Sequence, residues 1–167
     1  HTADDYRRLV EKLRAARPDL ALSSDFIVGF PGESDADHAA TLQLIREIGF
    51  SQAFSFKYSR RPGTPAAAAP RQIAEDVKSA RLQELQALIM EQQTAFNRSL
   101  VGATVSVLFE KPGRHRGQLV GRSPYLQPVH VDGAIELIGC TRDVLIGAAI
   151  ANSLTGRLAQ DARLSAA

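Results

Sequence analysis

The chain has 167 residues, of which 44% are hydrophobic and 23% are charged, and its formal net charge is +2. This is the balance of a folded globular protein, and no apolar run approaches the length of a membrane-spanning helix. The single cysteine, Cys140, excludes an internal disulfide and a metal cluster held by several thiolates of this chain. We therefore expect a cytoplasmic protein with no membrane partner, in which Cys140 is a small buried apolar residue.

Residues 4–58 alternate between helical and strand-like hydrophobic periodicity. The predicted elements are a helix over 4–17, a strand over 21–30, a helix over 35–48 and a strand over 52–58. Ser34 is the expected N-cap of the second helix, and Gly49 is its expected C-terminal cap. Two strands joined by a helix run parallel, but two parallel strands do not make a stable domain. Residues 1–97 are therefore expected to be the last part of a larger β/α barrel or sheet.

The stretch from Asp25 to Ser34 is a candidate ligand-binding turn. The continuous apolar run at residues 26–28 predicts a strand that is buried on both faces, and the following turn contains Gly29 and Gly32. Glycine permits a sharp turn and lets a ligand approach the backbone, and ligands of α/β folds lie at the carboxyl ends of strands. An ordinary strand–turn–helix connection has the same pattern, because an isolated glycine pair is a weak signal.

Two connecting segments follow the second strand. Residues 59–72 contain several prolines, which predicts a loop without regular structure. Arg60 and Arg61 directly follow the strand, so they are expected at the same rim as Gly29. A long helix is then predicted as a connection between two domains. It covers 73–97, with an apolar stripe of Val77, Leu82, Leu85, Ile89 and Phe96.

After Asn97 the periodicity changes from helical to alternating. Five strands are predicted over Thr104–Glu110, Gln118–Arg122, Pro128–Asp132, Asp143–Ala149 and Ser153–Leu158. Their number and length predict a small OB-like five-stranded β-barrel over residues 98–160, with 161–167 as a tail. Residues 98–160 contain seven Lys and Arg against four Asp and Glu, a difference of +3. This excess of positive charge is compatible with RNA binding.

Three motifs together resemble one enzyme family. The Asp25–Ser34 stretch is similar to the late-strand glycine motif of radical SAM methylthiotransferases, and residues 56–66 resemble that family's next strand and rim loop. Residues 97–102, 119–122 and 152–156 are similar to its C-terminal TRAM domain. The sequence Arg-Pro-Gly-Thr-Pro-Ala is most similar to the branch that adds a methylthio group to N6-isopentenyladenosine beside the tRNA anticodon.

The resemblance implies that this chain is the C-terminal portion of a longer enzyme. Family members bind S-adenosylmethionine (SAM) and 4Fe-4S clusters, but the cysteines that hold those clusters are not in this sequence. The resemblance implies that the protein ligands of the clusters lie outside this chain, which is therefore expected to be inactive alone. Its expected partners are the rest of the same enzyme and the anticodon stem-loop of tRNA. The implied SAM-binding residues are Asp25, Gly29, Gly32, Glu33, Phe56 and Tyr58. The implied tRNA-binding residues are Arg60, Arg61, Lys111, Arg114, Arg116, Arg122 and Tyr125.

Simpler roles stay open for several of these residues. Phe54 and Phe56 suit core packing as well as a wall against adenine, and Glu33 suits the positive end of a helix dipole. Arg60 and Arg61 suit a solvated pair.

In the predicted barrel, Tyr125 lies in an exposed loop where it can stack on a base, whereas Phe109 is expected in the core. His130 is expected to point away from the core, and no histidine has the spacing of a metal site or a catalytic triad. The alternative functions are a stand-alone RNA-binding module without catalysis, and a methylthiotransferase for another tRNA adenosine or a ribosomal protein.

Overall fold

A computed structural model of the chain describes residues 2–150 and 152–159. The chain divides into two compact units, with the division between Gln93 and Thr94. The boundary predicted from the sequence lies four residues later, after residue 97, and the predicted tail lies outside the described residues. In the described part of the chain, no helix is both long enough and apolar enough to cross a membrane.

The N-terminal unit contains the predicted helix–strand–helix–strand order. Its elements are α1 (Ala3–Ala16), β1 (Ser23–Val28), α2 (Asp35–Ile48), β2 (Gln52–Lys57), α3 (Pro65–Ala68) and α4 (Glu75–Ser99), whose last residues belong to the C-terminal unit. β1 and β2 pair in parallel, with Asp25 opposite Phe54 and Ile27 opposite Phe56. The parallel pairing predicted from the intervening helix is confirmed.

Side-chain caps explain why α1 and α2 begin where they do. Thr2 and Asp5 form a reciprocal capping box at the start of α1, and Ser34 and Asp37 form a second one at the start of α2. At the end of α2, Gly49 has φ 65°, which is the left-handed conformation of a C-terminal glycine cap. Ser34 and Gly49 therefore have the capping roles predicted from the sequence.

The core of the N-terminal unit lies on one side of the sheet. It is built from Val10, Val28, Leu42, Ile45, Ile48, Phe50, Leu85 and Ile89, which come mainly from α1, α2 and α4. The other side is open: Ile27, Phe54 and Phe56 are 61%, 54% and 53% exposed. The prediction that β1 is buried on both faces is therefore wrong for this chain, because no described element covers the second face.

Three smaller expectations are also wrong. The 59–72 segment is not free of regular structure: α3 forms there because Thr64 caps it and Pro65 occupies the first turn, where no backbone N–H is needed. Val77, in the predicted apolar stripe of α4, is 36% exposed and lies outside the buried core. Cys140 is half-buried rather than buried, since it lies in the turn that leads into β6.

The C-terminal unit is a closed five-stranded barrel, as predicted. Its strands are β3 (Thr104–Pro112), β4 (Gln118–Arg122), β5 (Pro128–Asp132), β6 (Thr141–Ile150) and β7 (Ser153–Leu158). They close in the order β3-β4-β5-β7-β6, with β5 and β7 parallel and the other pairs antiparallel. Alternating residues fill the interior, including Val107, Phe109 and Val129, which are all fully buried. The core position predicted for Phe109 is confirmed.

Two glycines allow the strands to approach each other. A Cβ at Gly121 would lie 2.5 Å from the carbonyl oxygen of Leu108, and a Cβ at Gly156 would lie 2.5 Å from that of Leu145. Real Cβ atoms do not come this close to backbone, so any side chain there would push neighbouring strands apart. The glycines of the motifs at 119–122 and 152–156 therefore serve barrel closure.

Candidate functional site

The uncovered face of the sheet and the turn at its carboxyl edge form one surface in the N-terminal unit. Asp25 and Phe54 are paired on this face, and Ile27 and Phe56 are paired next to them. All four are exposed, so a single carboxylate lies beside three apolar side chains. The structure thus brings together two residues of the implied SAM site, Asp25 and Phe56.

The turn after β1 contains both glycines in conformations that favour glycine. Gly29 has φ 72° and Gly32 has φ 88°. A Cβ at Gly29 would overlap the side chain of Lys78, and the N–H of Gly32 donates to the carbonyl of Arg71 at 2.8 Å. The backbone of this turn is therefore fixed by its own geometry and by contacts with the segment that leads into α4.

The side chain of Glu33 hydrogen-bonds to the backbone of the same turn. Its carboxylate accepts the backbone N–H of Gly29 and, at 3.2 Å, that of Phe30. The side chain is only 13% exposed, and its Oε2 lies 3.5 Å from Nη1 of Arg81. Both backbone donors are thus satisfied by one residue of the turn, and the direct SAM contact implied for Glu33 stays a prediction.

Sequence reasoning missed the buried side chains that support Glu33. Arg81 of α4 donates to Asp35 at 2.6 Å and to the carbonyl of Glu33 at 3.2 Å, and it is 7% exposed. His38 is also buried; its Nε2 lies 3.0 Å from Glu84, and its Nδ1 lies 3.6 Å from Glu33. The sequence does contain one indication of this contact, because Arg81 lies on the apolar side of the predicted helix. An arginine is rarely buried there without a carboxylate partner.

Tyr58 follows β2 at the same edge of the sheet. Its backbone N–H donates to the carbonyl of Val28 at 2.8 Å, and its ring packs edge-on against Phe30 at 5.3 Å between centroids. The Tyr58 hydroxyl is buried and makes no hydrogen bond within the described residues. Buried hydroxyls are normally hydrogen-bonded. The Tyr58 hydroxyl is therefore an unusual unpaired polar group, at the edge of the sheet where the glycine turn lies.

A charged cluster joins the end of β2 to the start of α4. Glu75 accepts hydrogen bonds from Lys57 and Lys78, the latter at 2.7 Å. These ammonium groups, Lys57 first, lower the pKa of the Glu75 carboxyl to about 2. Lys78 also reaches the carbonyl of Tyr58 at 3.4 Å, which ties α4 to the same edge.

The rim loop carries Arg60 and Arg61, which are both exposed. Nε of Arg60 donates to the carbonyl of Ala67 at 2.7 Å, so this guanidinium is fixed against α3. The loop borders a cavity of about 690 Å³, which is lined by Arg60, Pro62, Gly63, Thr64, Pro65, Ala67 and Ala68. Arg61 makes no side-chain hydrogen bond to the described residues, and so it is the more available of the two cations.

In the C-terminal unit, the hairpin between β3 and β4 presents cations to solvent. Lys111, Arg114 and Arg116 are all exposed, and His115 lies between the two arginines. These residues are in or beside a short connection, whose shape is fixed by the donation of Arg114 N–H to the Gln118 side chain at 3.1 Å. The sequence-predicted cluster is therefore a compact, exposed positive surface.

The loop between β4 and β5 holds the other two predicted RNA-binding residues. Arg122 lies 3.4 Å from Glu110, and it donates to the carbonyl of Leu126 at 3.1 Å. Tyr125 is half-buried and packs edge-on against Phe96, with ring centroids 5.3 Å apart. Tyr125 is thus less available for stacking than its loop position predicted.

The histidines considered in the sequence analysis show no metal-binding arrangement in the described part of the chain. His130 lies between Val129 and Val131, which are buried, and is itself half-buried on the outer side of β5, as predicted. Among the described residues, no group of three or more His, Cys, Asp or Glu side chains is arranged to hold a metal ion.

The two implied cofactors differ in how well the described residues suit them. An exposed carboxylate beside aromatic rings, an unpaired tyrosine hydroxyl and a glycine turn at one strand edge suit a nucleoside with a charged tail. A 4Fe-4S cluster does not fit, because it needs several thiolates and this sequence contains one cysteine.

Comparisons with known proteins agree with these observations. Residues 98–159 match the TRAM domain family. Over 166 residues, 99% of its length, the chain is 60% identical to tRNA-2-methylthio-N(6)-dimethylallyladenosine synthase of Maricaulis maris (strain MCS10). The chain spans 36% of the length of that curated relative. The resemblance to this enzyme family that the motifs indicated is confirmed.

Proposed function

We propose that the chain is part of a tRNA methylthiotransferase that adds a methylthio group to C2 of N6-isopentenyladenosine next to the anticodon. In this proposal the N-terminal unit supplies one wall of a SAM pocket in a cytoplasmic enzyme, and the C-terminal unit binds the tRNA. Similarity to the Maricaulis maris synthase supports the assignment. The observation that carries it is the uncovered sheet face that ends at the glycine turn.

The uncovered face is what one segment of a β/α barrel would present. In such barrels the helices form an outer ring, and the opposite side of each strand lines the interior. Here α1, α2 and α4 share one face with the core, so Asp25, Ile27, Phe54 and Phe56 would line the interior. The rest of the enzyme would close the barrel over these residues and bring the cluster cysteines that this chain lacks.

The proposed roles in SAM binding follow from the chemistry of each side chain. Phe56 and its neighbour Phe54 would pack on the adenine, and Asp25 would accept hydrogen bonds from ribose hydroxyls or the methionine ammonium. Gly29 and Gly32 would let the backbone lie against the nucleoside, and the Tyr58 hydroxyl would find its missing partner there. When bound, SAM supplies the methyl and radical chemistry, and this chain binds, orients and shields.

Glu33 would take part through the shape of the turn. Its carboxylate accepts two backbone N–H groups and lies beside Arg81, so it would fix the conformation of the glycine turn at the edge of the pocket. This positioning role would stand beside the direct SAM contact predicted for Glu33.

The activity is tested in a strain that lacks the gene. Mass spectrometry of its tRNA nucleosides is expected to show loss of the 2-methylthio group, restored by the complete gene. Complementation with Asp25→Asn or Phe56→Ala is expected to restore it only partly. Leu9→Ser is the matched control, because Leu9 is 52% exposed on α1 and should restore the modification fully. Intact 2-methylthio nucleosides in the deletion strain would overturn the proposal, and loss from a ribosomal protein or another adenosine would redirect it.

The proposed contact with tRNA is mainly electrostatic, between basic side chains and phosphates. Lys111, Arg114 and Arg116 on the hairpin, Arg122 at the next loop, and Arg60 and Arg61 at the rim would neutralise phosphates. Affinity for tRNA is then expected to fall steeply as salt rises, which fluorescence anisotropy measures. A flat salt response would contradict phosphate contacts.

A stand-alone RNA-binding module is the second candidate, because the barrel closes on itself around its own core. The two candidates differ over the N-terminal unit. A stand-alone module has no use for three exposed apolar side chains on one sheet face, so that face favours the enzyme.

A further inference from the structure

The loop between β4 and β5, residues 122–127, is held in one shape by its own hydrogen bonds. The N–H of Ser123 donates to the carbonyl of Gln127 at 3.1 Å, and the N–H of Leu126 donates to that of Ser123 at 3.0 Å. The guanidinium of Arg122 donates to the carbonyl of Leu126 at 3.1 Å. The loop is therefore a preformed feature rather than a flexible connection.

Leu126 stands at the tip of this loop in an unusual conformation. It has φ 68°, and it is the one non-glycine residue with positive φ in residues 2–150 and 152–159. Its side chain is 60% exposed, so little burial offsets the backbone cost of about 1–2 kcal/mol. Glycine or asparagine would suit this position better for folding, and strain of this kind is concentrated at functional sites.

A buried polar chain supports the loop from beneath. The hydroxyl of Ser123 donates to the Gln127 side chain, whose amide donates to Oδ1 of Asn97 at 3.0 Å. Asn97 is 1% exposed, and its Nδ2 makes no hydrogen bond in the described part of the chain. Tyr125 adds its ring contact with Phe96. The last turns of α4 thus fix the loop, although an apolar core would fold without such a polar chain.

We infer that residues 122–127 form a nucleotide-contact loop, in which Leu126 packs on an unpaired base and Arg122 neutralises the adjoining phosphate. Asn97 and Gln127 are positioning residues that hold this arrangement. The inference rests on the proposed function in RNA binding and adds the residues that distinguish unpaired from paired RNA.

RNA is the partner that the surroundings favour. An exposed apolar side chain beside a guanidinium matches a splayed base and its phosphate, and residues 98–160 carry a charge excess of +3. The Arg122–Glu110 pair is solvent-exposed on both sides, so it is weak and yields to a phosphate. A base in a duplex is stacked on both faces and offers no such surface.

The test replaces Leu126 with residues that relax its backbone. Leu126→Gly and Leu126→Asn both tolerate positive φ, so thermal stability is expected to stay equal or rise. Affinity of the full chain for a short RNA stem-loop is expected to fall about tenfold, with an unchanged salt slope, because leucine carries no charge. Affinity for a fully paired RNA with the same number of phosphates should not change.

Two matched variants complete the experiment. Val101→Ala removes an apolar side chain that is 45% exposed elsewhere in the unit, and stem-loop affinity should not change. Arg122→Gln should reduce the salt slope by about one. Asn97→Ser should weaken stem-loop binding in the wild-type chain but not in the Leu126→Gly chain, a coupling that a purely structural role does not produce.

The outcomes separate this inference from the proposed function. Stem-loop binding by the wild-type chain without salt dependence would overturn the proposed RNA contact itself. Salt-dependent binding that Leu126→Gly leaves unchanged would overturn only the role of the loop, and it would indicate that Leu126 contacts a protein or nothing. Equal loss on stem-loop and paired RNA would contradict recognition of an unpaired base.

Discussion

At the scale of single residues, two kinds of position decide this protein's structure. Gly121 and Gly156 are places where no side chain fits between strands. Glu33 and Arg81 are places where buried charges meet and hold the candidate ligand turn. Neither set contributes much apolar burial, yet each fixes the geometry that the functional surfaces need.

Gly121→Ala is expected to destabilise the barrel by about 2–3 kcal/mol, because the new Cβ would lie 2.5 Å from the carbonyl oxygen of Leu108. Urea denaturation followed by circular dichroism measures the change. Gly147→Ala is the control: its Cβ would lie 3.8 Å from the carbonyl oxygen of Thr155, an ordinary contact, and stability should be nearly unchanged. Equal effects of the two variants would contradict a special requirement at Gly121.

Arg81→Leu is expected to destabilise the N-terminal unit by about 1–3 kcal/mol, since it leaves the carboxylate of Glu33, 13% exposed, without its cation. In a double-mutant cycle, Glu33→Gln should recover part of this loss because the remaining side chain is neutral. Arg46→Leu, an exposed change on α2, is the control and should cost little. Strict additivity of the two changes would show that Glu33 and Arg81 act independently.

At the scale of elements, caps and charge clusters decide where helices begin. Thr64 and Pro65 start α3 inside a segment whose prolines predicted no regular structure. The cluster of Lys57, Glu75 and Lys78 ties the end of β2 to the first turn of α4. The local cap thus places α3, which the hydrophobic pattern did not predict, whereas the charged cluster connects β2 and α4, which it did.

The cluster gives the N-terminal unit a pH dependence with a definite sign. The pKa of Glu75 is lowered from 4.5 to about 2, so the stabilisation is complete above pH of about 4.5 and is lost as the pH falls towards 2. The free energy of unfolding of wild type minus that of Glu75→Gln should therefore shrink over this range. Added salt should also reduce the difference, because the carboxylate is exposed.

Glu91→Gln serves as the control for this measurement, since Glu91 is exposed on the same helix and makes no salt bridge among the described residues. Its difference from wild type should not follow the same pH window. A wild-type minus Glu75→Gln difference that is constant from pH 4.5 to 2 would show that the lysines do not hold the carboxylate.

At the scale of the whole chain, the two units differ in how much of their own apolar surface they cover. The barrel closes every strand edge and buries its own core. The N-terminal unit has two strands and leaves one face of its sheet open, with Ile27, Phe54 and Phe56 more than half exposed. Under the proposed function, another segment of the enzyme would cover this apolar face.

The double variant Phe54→Ser with Phe56→Ser tests that conclusion. In this chain alone it is expected to reduce self-association, which analytical ultracentrifugation detects. Because about half of each ring is exposed here, the loss in free energy of unfolding should be smaller than in the longer enzyme of the proposed function, where both rings would be fully buried. Equal losses in the two proteins would show that no further segment covers these rings.

Local signals in the amino-acid sequence are enough to predict the order of elements, the parallel pairing of β1 and β2, and the five strands of the barrel. These follow from local signals: helical and alternating periodicity, the caps at Ser34 and Gly49, and turns between strands. The family motifs added the identity of the barrel, since residues 98–159 match a TRAM domain.

Which faces are buried and which polar groups are in contact depend on the folded chain. A run such as Phe26–Val28 has the same local pattern whether one or both of its faces are covered, because burial depends on segments distant in sequence. Arg81 reaches Glu33 across 48 positions, and Asn97 reaches Gln127 across 30. Contacts at such separations leave no periodic trace in the sequence, so the support of the glycine turn and of the Leu126 loop became visible only once the chain was folded.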